Sequence, residues 1–174
     1  MMNRCVGILI ALSVFLIGCK ESTSPDTEQR INAYPPLTEV QYVLNGDGYS
    51  NKHFKIDERY LLLTYAYYDS SHGKIHAGAR DVERILTFDF QLTGSDTGKY
   101  EFVLPDMICS IEVLGYENRY LMKSGSISID SLNWEEKFLT GRFDGAFFKT
   151  MNYEDTLTAS GSFTIVHKEI PSIP

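Results

Sequence analysis

The chain has 174 residues and a formal net charge of −7, with 16 Lys and Arg against 23 Asp and Glu. An acidic chain without a basic stripe excludes a nucleic-acid binder and excludes adhesion to anionic head groups through a polybasic patch. The length suits one domain with a core of its own.

At the N-terminus, Arg4 precedes an apolar run from Val6 to Ile17, which closes on Leu16-Ile17-Gly18-Cys19. Twelve apolar residues are too few for a membrane span, which needs about 20. The layout is that of a secretory signal, and its last four residues resemble the lipobox of bacterial lipoproteins. That resemblance implies cleavage after residue 18, a diacylglycerol on Cys19, and a mature chain tied to a membrane by acyl chains. Removing Arg4 takes the charge from −7 to −8. Lys20 and Glu21 follow, without the Asp that resembles an inner-membrane retention signal, so the expected location is the outer membrane, with the periplasmic or cell-surface side open. Residues 19–36 are polar, Pro-bearing and nearly devoid of apolar side chains, and read as a tether. Cys5 leaves with the signal and Cys19 carries lipid, so only Cys109 remains and no internal disulfide forms.

The domain is expected over 37–168, with a short tail at 169–174. Its first strand candidate is Glu39–Leu44, followed by the hairpin signal Asn45-Gly46-Asp47-Gly48 and by His53–Ile56. Tyr60 to Tyr68 is apolar on both faces, which suits a central strand. Ala79–Arg84 is the best candidate for a short helix. Leu86, Phe88, Phe90 and Leu92 alternate with polar residues at the period of a strand. Lys99–Leu104 and Arg119–Met122 are further candidates, and Cys109, Ile111 and Val113 share one face of another, with Cys109 a small buried hydrophobe. Ile127 and Ile129, then Leu139 to Phe147, then Leu157 to Ile165, repeat the alternation. About nine or ten short strands imply an all-β fold, a single antiparallel β-sandwich, with a lipocalin-like β-barrel as the alternative. In the barrel, Phe88, Phe90, Phe143, Phe147 and Phe163 would line a ligand cavity.

Two of the last strands place Gly two residues before Phe, at Gly141-Arg142-Phe143 and Gly161-Ser162-Phe163. Glycine in a strand leaves room for a neighbouring ring. With Gly125-Ser126-Ile127-Ser128-Ile129 before it, the pattern over residues 125–167 resembles a class of small, uncharacterised β-rich lipoproteins, which implies a fold and no chemistry.

Candidate sites are sparse. His72 and His76 have a spacing that would put two zinc ligands on one helical face. Gly73 and Gly78 make the segment a loop instead, with a metal site completed by Asp69 or Asp81 as the alternative to a solvated turn. A calcium loop starting at Asn45 would need Glu at position twelve, where Ile56 stands. There is no nucleophile elbow and no Gly-rich phosphate loop. The acid pairs Glu135-Glu136 and Glu154-Asp155 read as solvated. Of the many tyrosines, Tyr65 and Tyr67 read as strand residues. Tyr68, together with Trp134 in a turn, is the candidate binding surface for a protein or sugar partner. Asp130-Ser131-Leu132 and Asp155-Thr156-Leu157 are similar to an O-glycosylation sequon of exported bacterial proteins, making Ser131 and Thr156 candidate acceptors. The expectation is a non-enzymatic binding or interaction module at the outer membrane, with no cofactor and an envelope protein or a glycan as partner. A carrier of a small apolar ligand is the alternative. An envelope hydrolase built around His53 or His76 comes third.

Overall fold

A computed structural model describes residues 36–168, apart from position 84 and the side chain of Leu62. The lipobox, Cys19, the tether and residues 169–174 lie outside the described residues.

The described chain is all-β and antiparallel, as expected. Its strands are β1 (Glu39–Gly46), β2 (Tyr49–Asp57), β3 (Leu61–Asp69), β4 (Lys74–Asp81), β5 (Leu86–Thr93), β6 (Gly98–Glu101), β7 (Ile108–Val113), β8 (Arg119–Asn133), β9 (Phe138–Lys149) and β10 (Thr156–Val166). They form one sheet in the order β2-β1-β10-β9-β8-β7-β5-β4-β3, with β6 paired to β8. The sheet curls until its two halves face each other. Thr64 of β3 then donates to the carbonyl of Val166 at the end of β10, at 2.5 Å. The domain joins the continuity of a barrel to the face-to-face packing of a sandwich.

Alternation dictates which side chains enter the core. Phe88 and Phe90 of β5 meet Phe143 of β9 and Phe163 of β10 across the interior. Phe88 stacks on Phe143 at 4.8 Å, and Phe90 lies 5.1 Å from Phe163. The five phenylalanines that a barrel carrier would place around a ligand pack on one another instead. Each such buried ring contributes about 1.5–3 kcal/mol.

The two Gly-x-Phe motifs are reciprocal. In the β9–β10 ladder Gly141 stands opposite Phe163, and Gly161 stands opposite Phe143. A Cβ on Gly141 would sit 2.6 Å from the Phe163 ring, and one on Gly161 would sit 2.8 Å from Phe143. Each glycine makes the space that the other motif's ring occupies.

The β1–β2 hairpin turns through Asp47 and Gly48, both at positive φ, as Asn-Gly-Asp-Gly requires. Its tip is tied down where Tyr120 of β8 donates to the Asp47 carboxylate, with Lys149 Nζ 3.4 Å from that carboxylate.

Three expectations are corrected. Ala79–Arg84 is not a helix: Ala77, Ala79 and Asp81 are buried at a period of two in β4, and a turn follows. The Tyr-rich strand β3 is not central; it ends the sheet order. Its outward face is apolar for local reasons, because the Tyr65 ring covers Gly78 and Tyr67 stacks on His76 at 4.8 Å. Arg119–Met122 and Ile127–Ile129 belong to one strand, β8, whose register shifts between Met122 and Ser124 and again between Ile129 and Ser131.

Candidate functional site

Among the hollows on the outward faces of the sheet, two of the larger differ in character. The first lies over β7 and β8. Outward-pointing Ile108 and Leu121 floor it, and Leu104, Tyr116 and Tyr153 from three loops wall it, giving a groove of about 510 Å³. Its walls are exposed: Leu104 by 51%, Tyr116 by 60% and Tyr153 by 74%. Clustered exposed apolar groups of this kind mark interaction surfaces. Tyr153 is propped by Phe148, whose ring centroid lies 5.3 Å away.

Arg119 lines this groove and also an adjoining polar hollow of about 220 Å³, which it shares with Tyr65, Arg80, Asp89 and Glu112. Arg119 Nη2 donates to Ser110 Oγ at 3.3 Å, and Ser110 Oγ donates to Asp89 Oδ2 at 2.6 Å. Among the described residues no carboxylate pairs directly with this guanidinium. Burial pushes the Asp89 carboxyl above the usual aspartate range, against the Ser110 hydrogen bond and the charge of Arg119. Burial, with the Asp89 charge behind it, pushes the Tyr65 hydroxyl up to about 12.

The second hollow, of about 620 Å³, lies over β1, β2, β9 and β10, lined by Gln41, His53, Lys55, Arg142, Ser160 and Ser162. Its cations are committed. Arg142 donates twice to Asp130, at 3.1 Å each, and Lys55 pairs with Glu39 at 2.5 Å.

The residues singled out from the sequence fall elsewhere. Tyr68 and Trp134, 66 positions apart, come together with ring centroids 6.2 Å apart. Tyr68 is exposed, whereas Trp134 is half-buried against the core, because its turn folds back onto the domain. Asn133 Oδ1 holds that turn by accepting from the backbone N–H groups of Glu135 and Glu136. His72 pairs with Asp69 at 2.6 Å on an exposed turn, while His76 stacks on Tyr67. Burial lowers the pKa of His76. Among the described residues no group of three or more His, Cys, Asp or Glu side chains is placed to hold a metal ion. Ser131 sits within β8, its hydroxyl 2.8 Å from that of Thr140, and Thr156 is exposed at the start of β10. Cys109 is fully buried and its thiol is pushed up by burial.

Sequence reasoning missed the apolar groove because its walls come from separate segments. One signal was present: Ile108 stands on the face of β7 that otherwise carries Ser110 and Glu112. Comparisons with protein-family models, with curated proteins and with solved structures found no match.

Proposed function

We propose that this chain is a lipid-anchored binding module of the bacterial outer membrane, non-enzymatic, held by acyl chains on Cys19. In this reading it meets its partner with the groove over β7 and β8. The observation that carries the binding role is the groove itself: a row of apolar side chains left in water beside an arginine that, among the described residues, has no carboxylate partner. Core packing does not require either feature. The lipobox resemblance carries the anchor, and a membrane-tethered domain with a loop-walled groove suits capture rather than turnover. The interior rings touch one another, which favours a surface site over a carrier with an internal ligand.

The anchor is tested by labelling cells with radioactive palmitate and fractionating them. The wild-type chain is expected to carry label and to sediment with outer membranes. Cys19→Ala is expected to carry none and to lose that sedimentation. An unlabelled wild-type chain would overturn the anchor.

A further inference from the structure

The chemistry of the groove points to one class of ligand. We propose that it takes a single-chain amphiphile with a monoanionic head, of the long-chain fatty acid type. Its acyl chain lies along Leu104, Ile108, Leu121 and Tyr153, and its carboxylate rests on Arg119. This proposal rests on the binding-module reading and names the ligand for the same groove.

Three observations carry it. The first is charge. In a chain of net charge −7, the one cation among the described residues that line the apolar groove is Arg119; Glu112 stands opposite it in the β7–β8 ladder, yet the Arg119 guanidinium hydrogen-bonds the neutral Ser110 hydroxyl. A planar guanidinium with donors to spare binds a carboxylate in a two-bond fork. The second is the division of the site. Arg119 sits where the apolar groove meets the polar hollow, so a molecule that is apolar along its length and charged at one end matches both parts. Asp89 and Glu112 line that polar side together with Arg80, which suits a singly charged head better than a dianionic phosphate. The third is the backbone. The groove is floored by β7 and β8, which lie inside the sheet order. On that floor Leu121 is paired on both sides, with Ser110 of β7 and Phe148 of β9, and Ile108 is paired with Gln91 of β5. A bound peptide would bring its own N–H and C=O groups into a trough with few backbone partners to offer, and unpaired polar groups are costly to bury. A methylene chain brings none.

The test uses the full chain in its membrane and a photoreactive, alkyne-tagged palmitic acid. After irradiation, labelled peptides are mapped by mass spectrometry, with palmitate, hexadecanol, lysophosphatidylcholine and an apolar hexapeptide as competitors. Label is expected on peptides that contain residues 104–108, 119–122 and 150–153, competed by palmitate and far less by hexadecanol. Arg119→Gln is expected to cut the labelling roughly tenfold or more, the worth of a charge-assisted hydrogen bond, with partial recovery in Arg119→Lys. Tyr153→Ser, at a side chain too exposed to threaten folding, is expected to weaken it as well.

Equal competition by hexadecanol, or unchanged labelling in Arg119→Gln, would overturn the anionic head. Stronger competition by lysophosphatidylcholine would overturn the monoanionic carboxylate. Stronger competition by the hexapeptide would overturn the lipid class and leave the groove as a binding site. Label spread over the whole domain and indifferent to every competitor would overturn the binding reading as well.

Discussion

Two hollows on the outside of this sheet, the one over β1, β2, β9 and β10 and the groove over β7 and β8, differ in what created them. The hollow over β1, β2, β9 and β10 follows from core packing. Its floor includes Gly161, which is small because the Phe143 ring needs the space beneath it, and the cations Arg142 and Lys55 are each already paired with an acid. The groove over β7 and β8 has the opposite origin. Leu104, Tyr116 and Tyr153 are more than half exposed, and Arg119 is held beside them by Ser110, with no carboxylate partner among the described residues. A depression explained by the packing below it needs no ligand. One whose walls the packing does not need is the better place to look for a ligand.

The sharpest test of that contrast is stability. Gly161→Ala would drive a Cβ into the carbonyl of Gln41 and to 2.8 Å from Phe143, so urea unfolding should show a loss of about 1–3 kcal/mol. Tyr116→Ser should stay within about 0.5 kcal/mol of wild type. Equal losses at the two positions would erase the distinction.

A smaller effect concerns Asp89, behind Arg119. Its pKa in the folded chain is raised by burial, so the folded state keeps a proton that the unfolded chain releases. That contribution to stability is complete below the ordinary aspartate value of 3.8 and is lost as pH rises through the raised value. Carboxylates with lowered pKa, such as Glu39 and Asp69, work in the other direction. The quantity to read is therefore the difference between wild type and Asp89→Asn in urea unfolding across pH. The wild type should lose ground to the variant as pH rises from 3.8. A difference that stays flat would mean that Asp89 is not held above its usual range.

The smallest effect is expected from Asp130→Asn, which strips Arg142 of its exposed partner at little cost to stability, since solvent screens an exposed ion pair. If an uncommitted arginine were sufficient for a site, this variant would acquire palmitate labelling around Arg142. With Ser160 and Ser162 beside it, and with the rings of Tyr42 and Phe54 in that hollow packed into or against the core, none is expected.

Much of the fold was legible because two-residue periodicity is a direct consequence of burying one face of a strand. Phe88, Phe90, Phe143 and Phe163 could be assigned to the core from alternation alone, and the Asn45–Gly48 turn from its need for positive φ. The reciprocal fit of the two Gly-x-Phe motifs could be half read. The sequence shows that glycine leaves room for a ring, but only the register shows that each ring comes from the other motif. The position of β3 at the sheet edge was not legible, since its outward Tyr65 and Tyr67 lie against Gly78 and His76 of β4 rather than under another layer. Trp134 read as a surface residue because a turn offers little burial locally, whereas its cover comes from the core against which the turn folds. The groove lay furthest out of reach. Leu104, Tyr116 and Tyr153 sit in three connections that no local pattern relates, and Arg119 gains its significance from Ser110 and Asp89 on two other strands.

The most direct test of the groove as the ligand site is a methyl NMR titration of the Ile-, Leu- and Val-labelled full chain in nanodiscs with palmitate. Saturable shifts are expected at Leu104, Ile108 and Leu121, with the interior methyls of Ile127 and Ile129 and the Val43 methyls of the hollow over β1, β2, β9 and β10 unmoved. Saturable shifts at Ile127 and Ile129 would place the ligand inside the sheet, shifts at Val43 would place it over β1 and β2, and either result would contradict a site over β7 and β8.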